Sequence, residues 1–175
     1  MNSSQIFEKA RRAVRDAGTR NAEKIAECLG IRVVFMPDYK DLLGMYTSRW
    51  RMRIIFLNDR LDDVWLQMVL AHEIGHDALH RELATVAKYG MQEYQLFNLR
   101  NATEYEANAF AAHLLLDNDE VYELAREGYD VVQMANAMNS HINLMLIKLQ
   151  EMNKLGYDLR VPIEPDGRFL RKIRT

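Results

Sequence analysis

The sequence predicts an α+β fold, mainly helical, with a small three-stranded sheet placed before a long central helix. Two observations carry this. Short, β-branched apolar runs are confined to the stretch between Ile31 and Leu57. Apolar residues recur at helical spacing before and after it. The chain has 175 residues, 49% of them hydrophobic, which suits one domain over residues 1–160 followed by a basic tail, 161–175.

The elements follow in order. Gln5 to Asp16 reads as a helix with Ile6, Ala10, Ala13 and Val14 on one face. Asn21 to Leu29 reads as a second helix, stopped by Gly30. Ile31 to Met36 is a strand ended by Pro37; Gly44–Thr47 and Met52–Leu57 are two more, joined through Ser48, Arg49 and Trp50. Asp59 or Asp62 caps a long helix running to about His80. Residues 82–98 read as a short helix and a returning loop. Ala102–Leu116 and Asp119–Glu127 are helices, the second ended by Gly128. Tyr129–Met138 and His141–Leu155 form a pair joined at Asn139 and Ser140, with Ser140 as N-cap and Gly156 as stop. The tail from Arg160 is polar and is expected to fray.

Composition excludes several classes. No apolar run reaches the ~18 residues of a membrane span. Glu8, Lys9, Arg11, Arg12, Arg15 and Asp16 break any signal-peptide apolar region. A net charge of -2 argues against direct nucleic-acid binding. One cysteine, Cys28, excludes an internal disulfide and a Cys-rich zinc module, so the expected compartment is the cytoplasm. Cys28 itself reads as a small, partly buried packing residue, and the helical methionines as core filler.

The informative segment is His72-Glu73-Ile74-Gly75-His76. Residues four apart stack on one helix face, so both imidazoles can hold one Zn²⁺. Glu73 lies about 100° around the helix. It can reach a nucleophilic water without ligating the metal and serve as general base. This is the H-E-x-x-H zinc-peptidase pattern. Gly75 is costly inside a helix, so something needs its small size, such as a close backbone.

A third ligand is needed. His80 continues the series, but three ligands along one helix would span about 12 Å. It reads as a supporting or structural residue. The helix Ala102–Leu116 offers Glu104, which projects onto the arc of Ala107, Ala111, Leu114 and Leu115. A carboxylate there is costly unless paired or metal-bound. Asn108, one turn on, is placed to orient a ligand. Glu106 projects roughly 160° from Glu104 and is the alternative ligand. His113 projects about 180° from Glu104 and reads as exposed and polar. His141, Tyr46 and Tyr105 are candidate oxyanion stabilisers. The metal is read as one Zn²⁺ per chain, with Mn²⁺ or Fe²⁺ also compatible with a His₂Glu set.

These residues carry a resemblance. His72 to His76 with Leu79-His80, then Glu104-Tyr105-Glu106-Ala107-Asn108-Ala109-Phe110-Ala111 and Leu114-Leu115, resemble the H-E-L-G-H helix and the E-x-E-A-N-x-F-A-x-x-L-L segment of the ImmA/IrrE metallo-endopeptidases. Leu43-Gly44 and Ile54 to Asn58 resemble that family's strands. Ile74 stands for its usual Leu, and His113 and Asp117 depart from its pattern. The resemblance implies a zincin-like fold and limited cleavage of a protein substrate. The implied substrate is a separate helix-turn-helix repressor, as with anti-repressors of mobile elements or stress regulons. Two other readings remain at this point. One is a non-proteolytic, metal-stabilised module that sequesters a repressor. The other is DNA binding through the C-terminal helix pair, whose second helix offers only Lys148 and Lys154 as cations.

Overall fold

The computed structural model describes residues 1–37, 41–49, 52–86, 91–93 and 101–161. Helix α1 (Ser3–Ala17) starts at a capping box in which Asn2 and Gln5 satisfy each other's backbone N–H groups, and buries Ile6, Ala10 and Ala13. Helix α2 (Ala22–Cys28) is capped by Asn21 and buries Ala22, Ile25 and Ala26. Cys28 lies off that face and is exposed, which corrects the expectation that it packs inside. Gly30 takes φ 68°, a left-handed conformation suited to glycine, and turns the chain into β1 (Arg32–Met36).

Strands β2 (Gly44–Arg49) and β3 (Met52–Asn58) pair antiparallel, and β1 lies parallel to β3. Ser48 and Arg49 belong to β2, with Arg49 opposite Met52, rather than to the connection; Trp50 lies outside the described residues. A fourth strand, β4 (Met91–Glu93), pairs antiparallel with β2, giving the order β1-β3-β2-β4. The α+β class therefore holds, but the sheet has four strands where three were expected. The segment read as a short helix and loop supplies that strand, and three residues carry too short a pattern to be recognised.

Asp62 accepts from Trp65 N–H at 2.9 Å and opens α3 (Asp63–Val86). This helix runs past His80, where φ -130° and ψ 21° break its regularity. One side of α3 packs on the sheet and another on α4 (Ala102–Leu115). Helix α4 is in turn packed by α1 and α7 (Ile142–Lys154). It is thus central, and residues from Ala107 to Leu114 are buried without interruption. That placement overturns the exposed reading of His113: the projection assumed one apolar face, whereas α4 has neighbours all round.

Helices α5 (Asn118–Arg126) and α6 (Val131–Ala137) complete the C-terminal part, capped by Asp117 and Asp130. The N-cap of α7 is His141, not Ser140: its Nδ1 accepts the Asn143 N–H at 3.1 Å. Met134, Met145 and Met152 are buried in the core, as their helical spacing implied. The basic tail from residue 162 lies outside the described residues. Among the described residues no helix is long and apolar enough to cross a membrane.

Candidate metal centre

Helix α3 carries His72, Glu73 and His76 on its buried stretch, and α4 brings Glu104 to them. The close approach of the two helices has a local cause. A Cβ on Gly75 would stand 3.1 Å from both Cα and the carbonyl oxygen of Ala107 and 3.3 Å from Phe110 Cβ. Backbone meets backbone there, which is why the helix carries a glycine despite its cost of about 1 kcal/mol.

Three donor atoms converge. Nε2 of His72 lies 3.0 Å from Nε2 of His76. Oε2 of Glu104 lies 3.2 Å from the first and 3.5 Å from the second. Tetrahedral ligands at about 2.0–2.1 Å from a zinc ion stand about 3.3 Å from one another, so this triangle has the size the ion needs. Its chemistry fits as well. Burial, the largest influence, lowers the pKa of His76 to about 4 despite the opposing pull of Glu104, so near neutral pH its imidazole is uncharged and offers a lone pair. The residues present therefore fit a metal.

The surroundings orient these groups. His72 Nδ1 donates to Asn108 Oδ1 at 3.1 Å, as the placement of Asn108 one turn beyond Glu104 implied. His76 Nδ1 meets His80 Nδ1 at 3.1 Å, and His80 Nε2 meets Glu106 Oε2 at 2.9 Å. Glu106 thus lies beside His80, while Glu104 is the carboxylate grouped with His72 and His76. Burial opposes the charge of Glu106, but the Met1 amino group and His80 hold its carboxyl below the usual range.

Glu73 is fully buried, beneath the start of β2. A Cβ on Gly44 would fall 2.7 Å from Glu73 Oε1 and 2.8 Å from Val69 Cγ1. Gly44 therefore leaves the space in which the Glu73 carboxylate sits. Gly44→Ala is expected to displace that carboxylate and lower any activity depending on it by about tenfold or more, since small misplacement of a reacting group is costly. Metal content should stay unchanged. Steady-state kinetics beside elemental analysis checks this; full activity in the variant would contradict it.

The three candidate oxyanion groups are placed differently. The Tyr46 hydroxyl donates to Asp77 Oδ1 at 2.6 Å, and burial together with that carboxylate pushes its pKa up. The Tyr105 hydroxyl donates to Glu151 and accepts from Lys154, both at 2.5 Å, facing α7. His141 has Nδ1 engaged as a cap and its ring 5.3 Å from that of Trp65.

Two polar groupings escaped the sequence reading. Asp77, next to His76, accepts from Tyr46, from Arg53 at 3.0 Å and from Arg81 at 2.9 Å, tying α3 to β2 and β3. Its adjacency to the histidine motif was the available signal. The second is at the far end of α4. Lys148 donates to the Leu116 carbonyl at 2.6 Å and to Asn118 Oδ1 at 2.5 Å, and lies 3.3 Å from His113 Nδ1. His113 packs edge-on against Phe7 at 5.1 Å and lies 3.7 Å from Glu151. Lys148 is thus a buried cap on the C-terminal carbonyls of α4.

Burial first, then the charge of Arg20, lowers the pKa of Lys148 to about 7 from 10.5, against the pull of Asp117 and Glu151. Between those two values the unfolded chain binds a proton that the folded chain does not, so stability gains from this group as pH rises. Urea unfolding from pH 7 to 9 is expected to show that rise, and Lys148→Met should flatten it. Tyr105, raised to about 12 mainly by burial, acts oppositely only above pH 10. An identical slope in both proteins would contradict the assignment.

The model of the Peptidase_M78 family, the IrrE N-terminal-like domain, matches residues 26–159. The chain belongs to this family. It is also 31% identical over 105 residues to immunity region protein 2 of Bacillus phage phi105, a match covering 60% of this chain and 64% of that protein. The chain thus spans less than two thirds of that relative's length. The M78 match includes both helices of the centre, from His72 through Glu104. Members of the Peptidase_M78 family are in general metal-dependent.

Proposed function

We propose that this M78 chain is a zinc-dependent endopeptidase that makes limited cuts in a protein substrate, a helix-turn-helix transcriptional repressor. The observation that carries the reading is the convergence of His72, His76 and Glu104 beside the buried Glu73. In this reading the first three hold the ion, and Asn108 keeps His72 turned toward it. Zinc bound there supplies Lewis acidity for water activation and carbonyl polarisation. The Glu73 carboxylate takes the proton of the attacking water and returns it to the departing amine. Gly44 and Val69 wall the space around that carboxylate. The repressor as substrate is supported by the likeness to a phage immunity-region protein. Action in the cytoplasm accords with the lone, exposed Cys28 and with the absence of a membrane-crossing helix among the described residues.

The test is incubation of the purified protein with helix-turn-helix repressors from the same genome, read by intact mass. Two fragments whose masses sum to one repressor plus one water are expected, and chelation should abolish them. A repressor released from its operator but left whole would favour sequestration instead.

A further inference from the structure

His76 differs from His72 in what stands behind it. His72 rests on an amide oxygen, whereas His76 rests on a second histidine that itself rests on a carboxylate. Two Nδ1 atoms 3.1 Å apart must share one proton between them, since an imidazole nitrogen either carries hydrogen or offers a lone pair. Which one carries it is decided at the far end of the chain of contacts. Ionised Glu106 only accepts, so His80 Nε2 must be the donor across 2.9 Å. In neutral His80 the Nδ1 atom is then the acceptor, and His76 Nδ1 carries the shared hydrogen.

We propose that Glu106 and His80 form a positioning relay that holds His76 as its Nδ1–H tautomer, with the Nε2 lone pair turned toward His72 Nε2 and Glu104 Oε2. The opposite tautomer would put a hydrogen into the donor triangle and close it to a cation. The irregular backbone at His80 belongs to this arrangement: φ -130° and ψ 21° occur at the residue whose ring joins His76 to α4. His80 and Glu106 thus act through His76 and neither is a ligand. The consequence for metal affinity rests on the metal-centre reading proposed above; the tautomer does not.

The two are tested separately. In metal-free, ¹⁵N-histidine-labelled protein, two-bond ¹⁵N–¹H correlations are expected to show His76 protonated on Nδ1. His80→Leu and Glu106→Ala should turn that signal into a mixture. An Nε2–H signal for His76 in the wild type would overturn the relay. Zinc affinity is then measured by chelator competition. His80→Leu and Glu106→Ala should bind about 10- to 100-fold more weakly than wild type, the usual range for an outer partner of a ligand histidine. His80→Asn, whose amide oxygen stands near the place of the His80 Nδ1 atom, should recover most of the loss. Glu106 lies at the partly exposed rim, so its variant keeps the test open should His80→Leu fail to fold. Wild-type affinity in both variants, with none in His72→Ala, would overturn the relay and leave the metal reading standing. An Nδ1–H His76 in a protein that binds no zinc would do the reverse.

Discussion

Glu73→Gln is expected to keep its metal and its fold while cleavage falls by about 10²- to 10⁴-fold, the range a positioned general base supplies. The amide is isosteric with the carboxylate, so the cavity below Gly44 stays filled. The donor triangle lies on other side chains and keeps its three atoms. Only the capacity to take a proton is lost. Full activity in the variant would remove Glu73 from the chemistry. Loss of both metal and activity would make it a structural residue of the centre.

The second large effect concerns stability. A ligand that binds only the folded chain stabilises it by about 2.7 kcal/mol at a hundredfold excess over Kd. For a chain of this length each kcal/mol shifts Tm by about 2–4 °C. Zinc is therefore expected to raise the thermal midpoint of the chelator-treated wild type by about 5–10 °C. His72→Ala, with one corner of the triangle gone, should not respond. An equal rise in both proteins would place the ion elsewhere.

The long-range parts of the fold were the least legible. H-E-x-x-H fixes two side chains on one helix face by spacing alone, so His72 and His76 could be grouped from the sequence. Glu104 could be paired with them because a carboxylate on an alanine-rich face needs a partner. Asn108 followed from the same turn. His113 could not be placed, because a helix packed on every side has no polar face to project onto. Cys28 was misread because seven residues give too short a pattern to tell which side of α2 faces in. The hydrogen-bonded Asp77, the capping Lys148 and the glycine at position 44 gain their roles only from contacts across the chain. The fourth strand likewise depends on its partner, β2. Glu106 and His80 could be named as supporting residues, but their direct contact depends on how α3 bends at His80 and meets α4.

The metal-centre account is tested most directly by metal content per chain, measured by elemental analysis on the wild type, Glu104→Gln and Glu106→Gln. The donor triangle requires about one zinc in the wild type and in Glu106→Gln at saturating metal, and a loss with Glu104→Gln. Loss with Glu106 and retention without Glu104 would make Glu106 the third ligand, and a wild type without stoichiometric metal would contradict the centre itself.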